Sequence, residues 1–167
     1  DISGSAEGKS LDVGGVVRVG ASRRLSGKRD VGGRAEISDE LLAENVDVGG
    51  SLEARKIDAK DKVSVGASLT ARDGTNASYV EIGRRGRVAG LIHANEVLVG
   101  EIARVENVYA GNITMEEKAQ ARNLYGESIY IESGCYISGE VQYTESLRTE
   151  EDVLFKVPPV KVEKLPE

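Results

Sequence analysis

Few residues of this chain have both the type and the spacing to do chemistry. The stretch "SGSAEGKS" at 3–10 is one residue away from the phosphate-loop pattern G-x-x-x-x-G-K-[ST], with Ser3 standing where the first glycine belongs. Such a loop cradles phosphates with backbone N–H groups between a strand and a helix. Here "LDVGGVVRV" follows and reads as strand, and two residues leave no room for a strand before it, so an ordinary corner is expected. His93 is the single histidine and Cys135 the single cysteine, so neither a multi-histidine nor a multi-cysteine zinc set can be built, and an intramolecular disulfide is excluded. Cys135 has no basic neighbour in sequence to favour its thiolate, and reads as a packed thiol in a reducing compartment. The acidic pairs Glu116/Glu117 and Glu150/Glu151 read as solvated corner charge, and the Gly- and Asp-rich nonapeptide of calcium-binding solenoids is missing. Asn76-Ala77-Ser78 and Asn112-Ile113-Thr114 fit the glycosylation pattern, which matters only in a secreted chain.

The net charge is −6, unevenly divided: residues 1–90 carry 15 basic and 14 acidic side chains, residues 91–167 carry 7 and 14. Neither part has the Lys/Arg excess that neutralises phosphates, so nucleic acid is not an expected partner. No apolar run approaches the roughly 18 residues of a membrane-spanning helix, and no signal peptide is visible. The apolar set is Val, Ile, Leu and Ala, with no Trp, one Phe and one Met. A core of small branched side chains suits uniform stacked layers. All 3 prolines lie in the last ten residues, so nothing earlier interrupts sheet hydrogen bonding.

What must position these residues is a repeat. "DVGG" occurs at 12–15, 30–33 and 47–50, and the slot of Val13 is filled in turn by Val31, Val48, Val65, Ile82, Val99, Met115 and Ile131. The intervals are 18, 17, 17, 17, 17, 16 and 16 residues. Gly follows the first six of these, and the word decays through "VGA" and "IGR" to "VGE", so position matters more than glycine. At the same offsets, Val88, Ile92, Ala94, Val97 and Val99 align with Ile37, Leu41, Ala43, Val46 and Val48. Val105, Val108, Ala110, Ile113 and Met115 align with Ala121, Leu124, Gly126, Ile129 and Ile131, and then Ile137, Val141, Tyr143 and Leu147 continue the columns. Apolar residues come in alternating pairs between corners of Gly, Asn, Asp or Ser, a period of two that sends one side chain inward and the next outward.

Short strands at this period, with no crossover helix, predict an all-β fold: a right-handed parallel β-helix, three-sided, of about eight turns with 16–18 residue repeats. At about 4.8 Å per rung the rod is roughly 40 Å long. The domain division is a solenoid at 1–150 and a cap or extended Pro-containing tail at 151–167. One-residue shifts, such as Ile57 and Ala59 arriving early, belong at corners. The repeats from Val13 and Val65 fit least well, the second because "DGTNAS" at 73–78 interrupts its middle face. The glycines of "DVGG" are expected to supply the backbone angles of the corner. His93 falls on an outward position in the column of Leu42, Tyr109, Tyr125 and Gln142. Hexapeptide-repeat acyltransferases and solenoid carbonic anhydrases rely on histidines, and a chain with one His and a longer repeat resembles neither. Tyr109 and Tyr125 should stack outward, with Tyr130 and Tyr136 on nearby outward positions, as a stabilising ladder or as a face for a partner.

A solenoid has two ends of unpaired strand backbone, which most such proteins cover. No amphipathic helix precedes Val13, and the candidate end contacts are Ile2, Leu11, Val13, Leu147, Val153 and Phe155. Phe155 either covers the core or forms part of an end-to-end contact.

The runs "VGG", "AENVDVGGSLEA" and "GRVAGLIHANEVLVG" resemble the bactofilins, polymer-forming cytoskeletal proteins of bacteria. "GEVQYTESL" followed by "KVEKLPE" is more similar to the archaeal, halofilin-type members, and the resemblance covers roughly residues 2–150. It implies a right-handed β-helix that assembles end to end into filaments with no nucleotide, metal or other cofactor, and that acts in cell shape. It also implies no catalytic residues, a cytoplasmic location with membrane association, and partners that are first of all other copies of the chain, then cell-shape or membrane-associated proteins. The alternative is a monomeric or dimeric solenoid that binds a protein through its tyrosine or acidic face.

Overall fold

The computed structural model describes residues 11–20, 23–24 and 28–166, with side chains described at 14–20 and 31–166. Among them there is no helix, and the chain winds as a parallel β-solenoid of about 8 turns. It enters on β1 (Leu11–Val13), after which each turn lays strand on three faces. The first full turn is β2 (Val16–Val19), β3 (Arg23–Arg24) and β4 (Lys28–Val31). In the next two, strand runs through all three faces as β5 (Arg34–Val48) and β6 (Ser51–Val65). The fourth turn is β7 (Ser68–Ala71), β8 (Thr75–Asn76) and β9 (Tyr79–Ile82); β10 (Arg87–Val99) and β11 (Arg104–Met115) follow as single strands. The seventh turn is β12 (Gln120–Ala121) with β13 (Asn123–Ile131), and the eighth β14 (Tyr136–Ile137) with β15 (Val141–Thr149). β16 (Leu154–Phe155) and β17 (Val160–Lys161) begin another turn, pairing with β14 and β15.

The core is a set of vertical columns. On the second face Leu41, Ile57, Thr75, Ile92, Val108, Leu124 and Val141 stand in register. On the third face Val46, Val63, Val80, Val97, Ile113, Ile129 and Leu147 do the same, beside the column from Val31 to Ile131. Nearly all of these are fully buried, at about 1.5–3 kcal/mol of transfer free energy per large side chain. β-branched residues dominate because each must sit on a pleated rung between copies of itself.

Two details of the predicted register are corrected. Val88 stands over Leu69, Leu52 and Ala35, whereas Ile37 belongs to the column of Ala54 and Ala71. The reason is a bulge between Val88 and Leu91: Gly90 adopts φ +101° there, and a Cβ on it would overlap the Ala71 carbonyl oxygen. The stretch 73–78 shortens its middle face without breaking it, since Thr75 and Asn76 pair with Ile57 and Asp58 below and with Ile92 and His93 above. Thr75 thereby enters the core, 1% exposed, and its hydroxyl has no hydrogen-bond partner. The early arrival of Ile57 and Ala59 does fall between two register shifts, one on each side of the second face.

The corner from third face to first also differs from expectation. None of the described "DVGG" glycines has a positive φ. What demands glycine is close stacking: a Cβ on Gly50 would overlap the Gly33 carbonyl oxygen, and one on Gly33 the Gly15 carbonyl oxygen. The left-handed positions lie in the later corners, 83–86, 100–103, 116–119 and 150–153, whose third residues are Arg85 (φ 62°), Ile102 (60°), Lys118 (58°) and Asp152 (58°), and in 132–135 at Gly134 (71°).

Candidate interaction surfaces

The tyrosine face is built by the second-face rungs of β10, β11 and β13. Register places His93, Tyr109, Tyr125 and Gln142 one above another, and all four point away from the core. The His93 and Tyr109 rings stack with centroids 5.3 Å apart and 16° between planes; Tyr109 and Tyr125 follow at 6.2 Å and 34°. The histidine is thus the lowest ring of an aromatic ladder. The sixteen-residue spacing already placed it in that column; ring stacking between adjacent rungs was the signal left unused. Tyr125 donates to the Glu140 carboxylate at 3.1 Å, and its pKa is raised by burial and then by that carboxylate. Tyr130 and Tyr136 are exposed on other faces, so they do not join the ladder; Tyr130 instead donates to Glu150, which raises its pKa.

Beside the ladder runs a groove of about 620 Å³ with a floor of small residues. Ala94, Ala110 and Gly111 form the floor, the rings of His93 and Tyr109 one wall, and Asn95, Asn112 and Glu127 line it further. Glu163, Lys164 and Leu165 also border it, so the end of the chain returns along the side of the rod.

The acidic corners are tied to the backbone. Glu116 accepts the Glu101 N–H at 3.1 Å, Glu132 the Glu117 N–H at 3.1 Å, and Glu150 the Ser133 N–H at 3.2 Å. Each carboxylate caps the corner one turn below. Stacking also buries them in part, and burial pushes the Glu132 carboxyl above the usual carboxylate range, with Glu150 and Glu116 adding to the rise. Cys135 stands at the fourth position of its corner, as Ala103 and Ala119 do in theirs, and all three are fully buried. Its Sγ lies 3.0 Å from the Glu116 carbonyl oxygen, and burial raises its pKa, so it is an inert packed thiol. Among the described residues no group of three or more His, Cys, Asp or Glu is placed to hold a metal ion.

At the ends, Ile2 and the stretch 3–10 lie outside the described residues, as do the side chains of Leu11 and Val13, whose backbone forms β1. Phe155 stands over Ile137 and is half-buried against the core, and Leu147 and Val153 pack there too. The segment 151–167 therefore begins by continuing the winding. The most exposed large aliphatic side chains also lie at the ends: Val16 at 68%, Leu154 at 64% and Val160 at 52%. None of these three was among the expected contacts. Reading the outward columns for where polar residues give way to aliphatic ones would have found the first two.

Fold and surfaces together define the class: a three-sided parallel β-solenoid with strand edges at its ends and an aromatic ladder on one side. No protein family, curated protein or solved structure matches the chain.

Proposed function

We propose that this chain is the subunit of a non-enzymatic scaffold that polymerises end to end through its β-solenoid. The filaments form without nucleotide and act in cell shape, as the bactofilin-like pattern of the sequence implies, in the cytoplasm and close to the membrane. The observation that carries this reading is the state of the ends. Among the described residues β2 and β3 pair on one side only, as do β16 and β17, while Leu147, Val153 and Phe155 leave core surface half covered. Such edges are templates for another rung, and covering them continues a ladder already eight turns long. Purified protein examined by electron microscopy and sedimentation at rising concentration should show filaments that persist without nucleotide. A strict monomer at every concentration, with 151–167 present or removed, would overturn the proposal.

The second reading, a protein-binding module, is favoured by the ring ladder and its groove. Tyr109→Ala with Tyr125→Ala separates the two: a scaffold polymerises as before, whereas a binding module loses its partner.

A further inference from the structure

We infer that the subunits join head to tail, the N-terminal end of one copy seating on the C-terminal end of the next, so that the filament is polar. This rests on the reading of the chain as a polymer, and it follows from the shapes and registers of the two ends.

After Lys161 the chain leaves the ladder, since Glu163, Lys164 and Leu165 line the side groove. The C-terminal end is consequently stepped: β16 and β17 raise the first and second faces one rung above 146–149, which have no described rung above them. The opposite end carries the matching step, because β1 stands on the third face one rung beyond β4, while no described rung covers β2 or β3. Seated head to tail, β1 of one copy fills the gap over 146–149, β2 lies over β16 and β3 over β17. Every strand stays parallel. A like-to-like joint would set strands antiparallel and interrupt the register that runs through all the other rungs.

The columns meet well across that joint. The outward first-face column reads Val16, Arg34, Ser51, Ser68, Arg87, Arg104, Gln120, Tyr136, Leu154. It is aliphatic only at its two ends, and those ends are the two most exposed large hydrophobics described, at 68% and 64%. Head-to-tail joining places one on the other. Inside, Val17 falls on Phe155, both already packed against the core and half covered. On the third face Leu11 falls on Leu147, and the acidic column of Asp12, Asp30, Asp47 and Glu81, which ends at Arg148, brings Asp12 onto that arginine. Over a wider span, residues 1–34 hold seven basic and four acidic side chains and residues 132–167 hold four and eight, so the ends attract. A heterologous contact of this kind does not close on itself and generates an open filament.

Cysteine pairs test the polarity. In a Cys135→Ala background, which keeps the small side chain of that column, V16C and L154C are made singly and together and oxidised under assembly conditions. Neighbouring parallel rungs lie about 4.8 Å apart, within disulfide reach. The V16C and L154C chains mixed should give a crosslinked dimer, each alone should give none, and the double variant should give a covalent ladder. Filaments by electron microscopy with self-crosslinked single variants, or with no crosslink in any mixture, overturn the joint and leave the polymer standing. Absence of filaments from the Cys135→Ala chain and from the parent removes the polymer and the joint with it. Charge reversal is the second measurement: D12R and R148D should each raise the critical concentration about tenfold, the size of one interfacial ion pair, and the double variant should bring it back.

Discussion

The turns up to Val65 and those from Ile82 onward share one core but close the same corner in different ways. The early corners, 32–33, 49–50 and 66–67, take two residues, and at Gly33 and Gly50 backbone lies directly on backbone. The later ones take four residues, with a left-handed third position and, from Glu116 on, a carboxylate that caps the corner below. The ties between turns follow the same division. In the early part they are ion pairs: Arg18 with Glu36 at 2.9 Å, Arg55 with both Asp39 and Asp73, Arg72 with Glu53 at 3.2 Å, and Lys62 with Glu81. In the later part they are hydrogen bonds, among them Asn123 to Asn107 at 2.8 Å and Tyr125 to Glu140 at 3.1 Å. A solenoid can therefore hold its pitch by tight glycine stacking or by capped wide corners. The wide corner escapes the need for a glycine pair but requires a strained residue instead.

The largest effect separating the two designs should come from the glycine stack. Gly50→Ala puts a methyl into the Gly33 carbonyl oxygen and should cost about 3 kcal/mol or more, because backbone has to move. Gly49→Ala, one residue away, has nothing nearer than 3.9 Å to its Cβ. It should be neutral, or stabilising by up to about 1 kcal/mol through the unfolded chain. Urea unfolding of the two variants checks this, and equal losses would mean that the corner is not held by stacking.

Between the two parts lies Thr75, the buried polar residue of the fourth turn. Its unpartnered hydroxyl occupies a slot held by Ile57 below and Ile92 above. Thr75→Val keeps the shape and removes the unsatisfied group, and should stabilise by about 1 to 2 kcal/mol. Hydrogen exchange read peptide by peptide should show the gain spreading from the fourth turn into both neighbours, since each turn leans only on the next. A loss of protection there would mean that the hydroxyl has a partner in solution.

The core was legible in the sequence because the solenoid repeats it: once the valine slots were aligned, the columns on the second and third faces could be read off, and Ile57 gave away its own register shift. Val88 was misplaced because Gly90 adds a residue to the corner without changing the repeat length, so equal offsets no longer meant equal positions. The tail's return beside Gly111 was illegible for a different reason, as it obeys no period and depends on a groove formed by three separate turns. Glycine itself misled in part. "VGG" marked the corner correctly, but close backbone approach and positive φ both call for glycine, and only coordinates tell them apart.

The strain in the wide corners gives a smaller effect of opposite sign to Gly50→Ala. Lys118 holds φ 58° at a position that Gly134 fills one turn later with φ 71°. Lys118→Gly relieves a left-handed side-chain residue worth about 1 to 2 kcal/mol, and part of that is returned as unfolded-chain entropy. A net gain below about 1 kcal/mol is expected. A clear loss would show that the lysine side chain holds its corner.

The smallest difference should appear with pH. Glu132 is raised first by burial and then by Glu150 and Glu116, so its neutral form is favoured in the fold relative to the unfolded chain. The stability linked to it is fully present below the unfolded carboxylate pKa of about 4.3 and is lost as pH rises through the folded value. In the early turns Lys62 is raised by Glu81, so its contribution is present below the unfolded lysine pKa of about 10.4 and is lost only at more alkaline pH. Between about pH 4 and 6, then, exchange protection around 116–135 should fall as pH rises, while protection around Lys62 stays level. Glu132→Gln, which keeps an oxygen able to accept the Glu117 N–H, should flatten the first dependence and leave the second untouched. If protection around 116–135 rises across that window, the capping carboxylates are stabilising as anions, and the acidic corners act by charge on the backbone N–H groups rather than in spite of it.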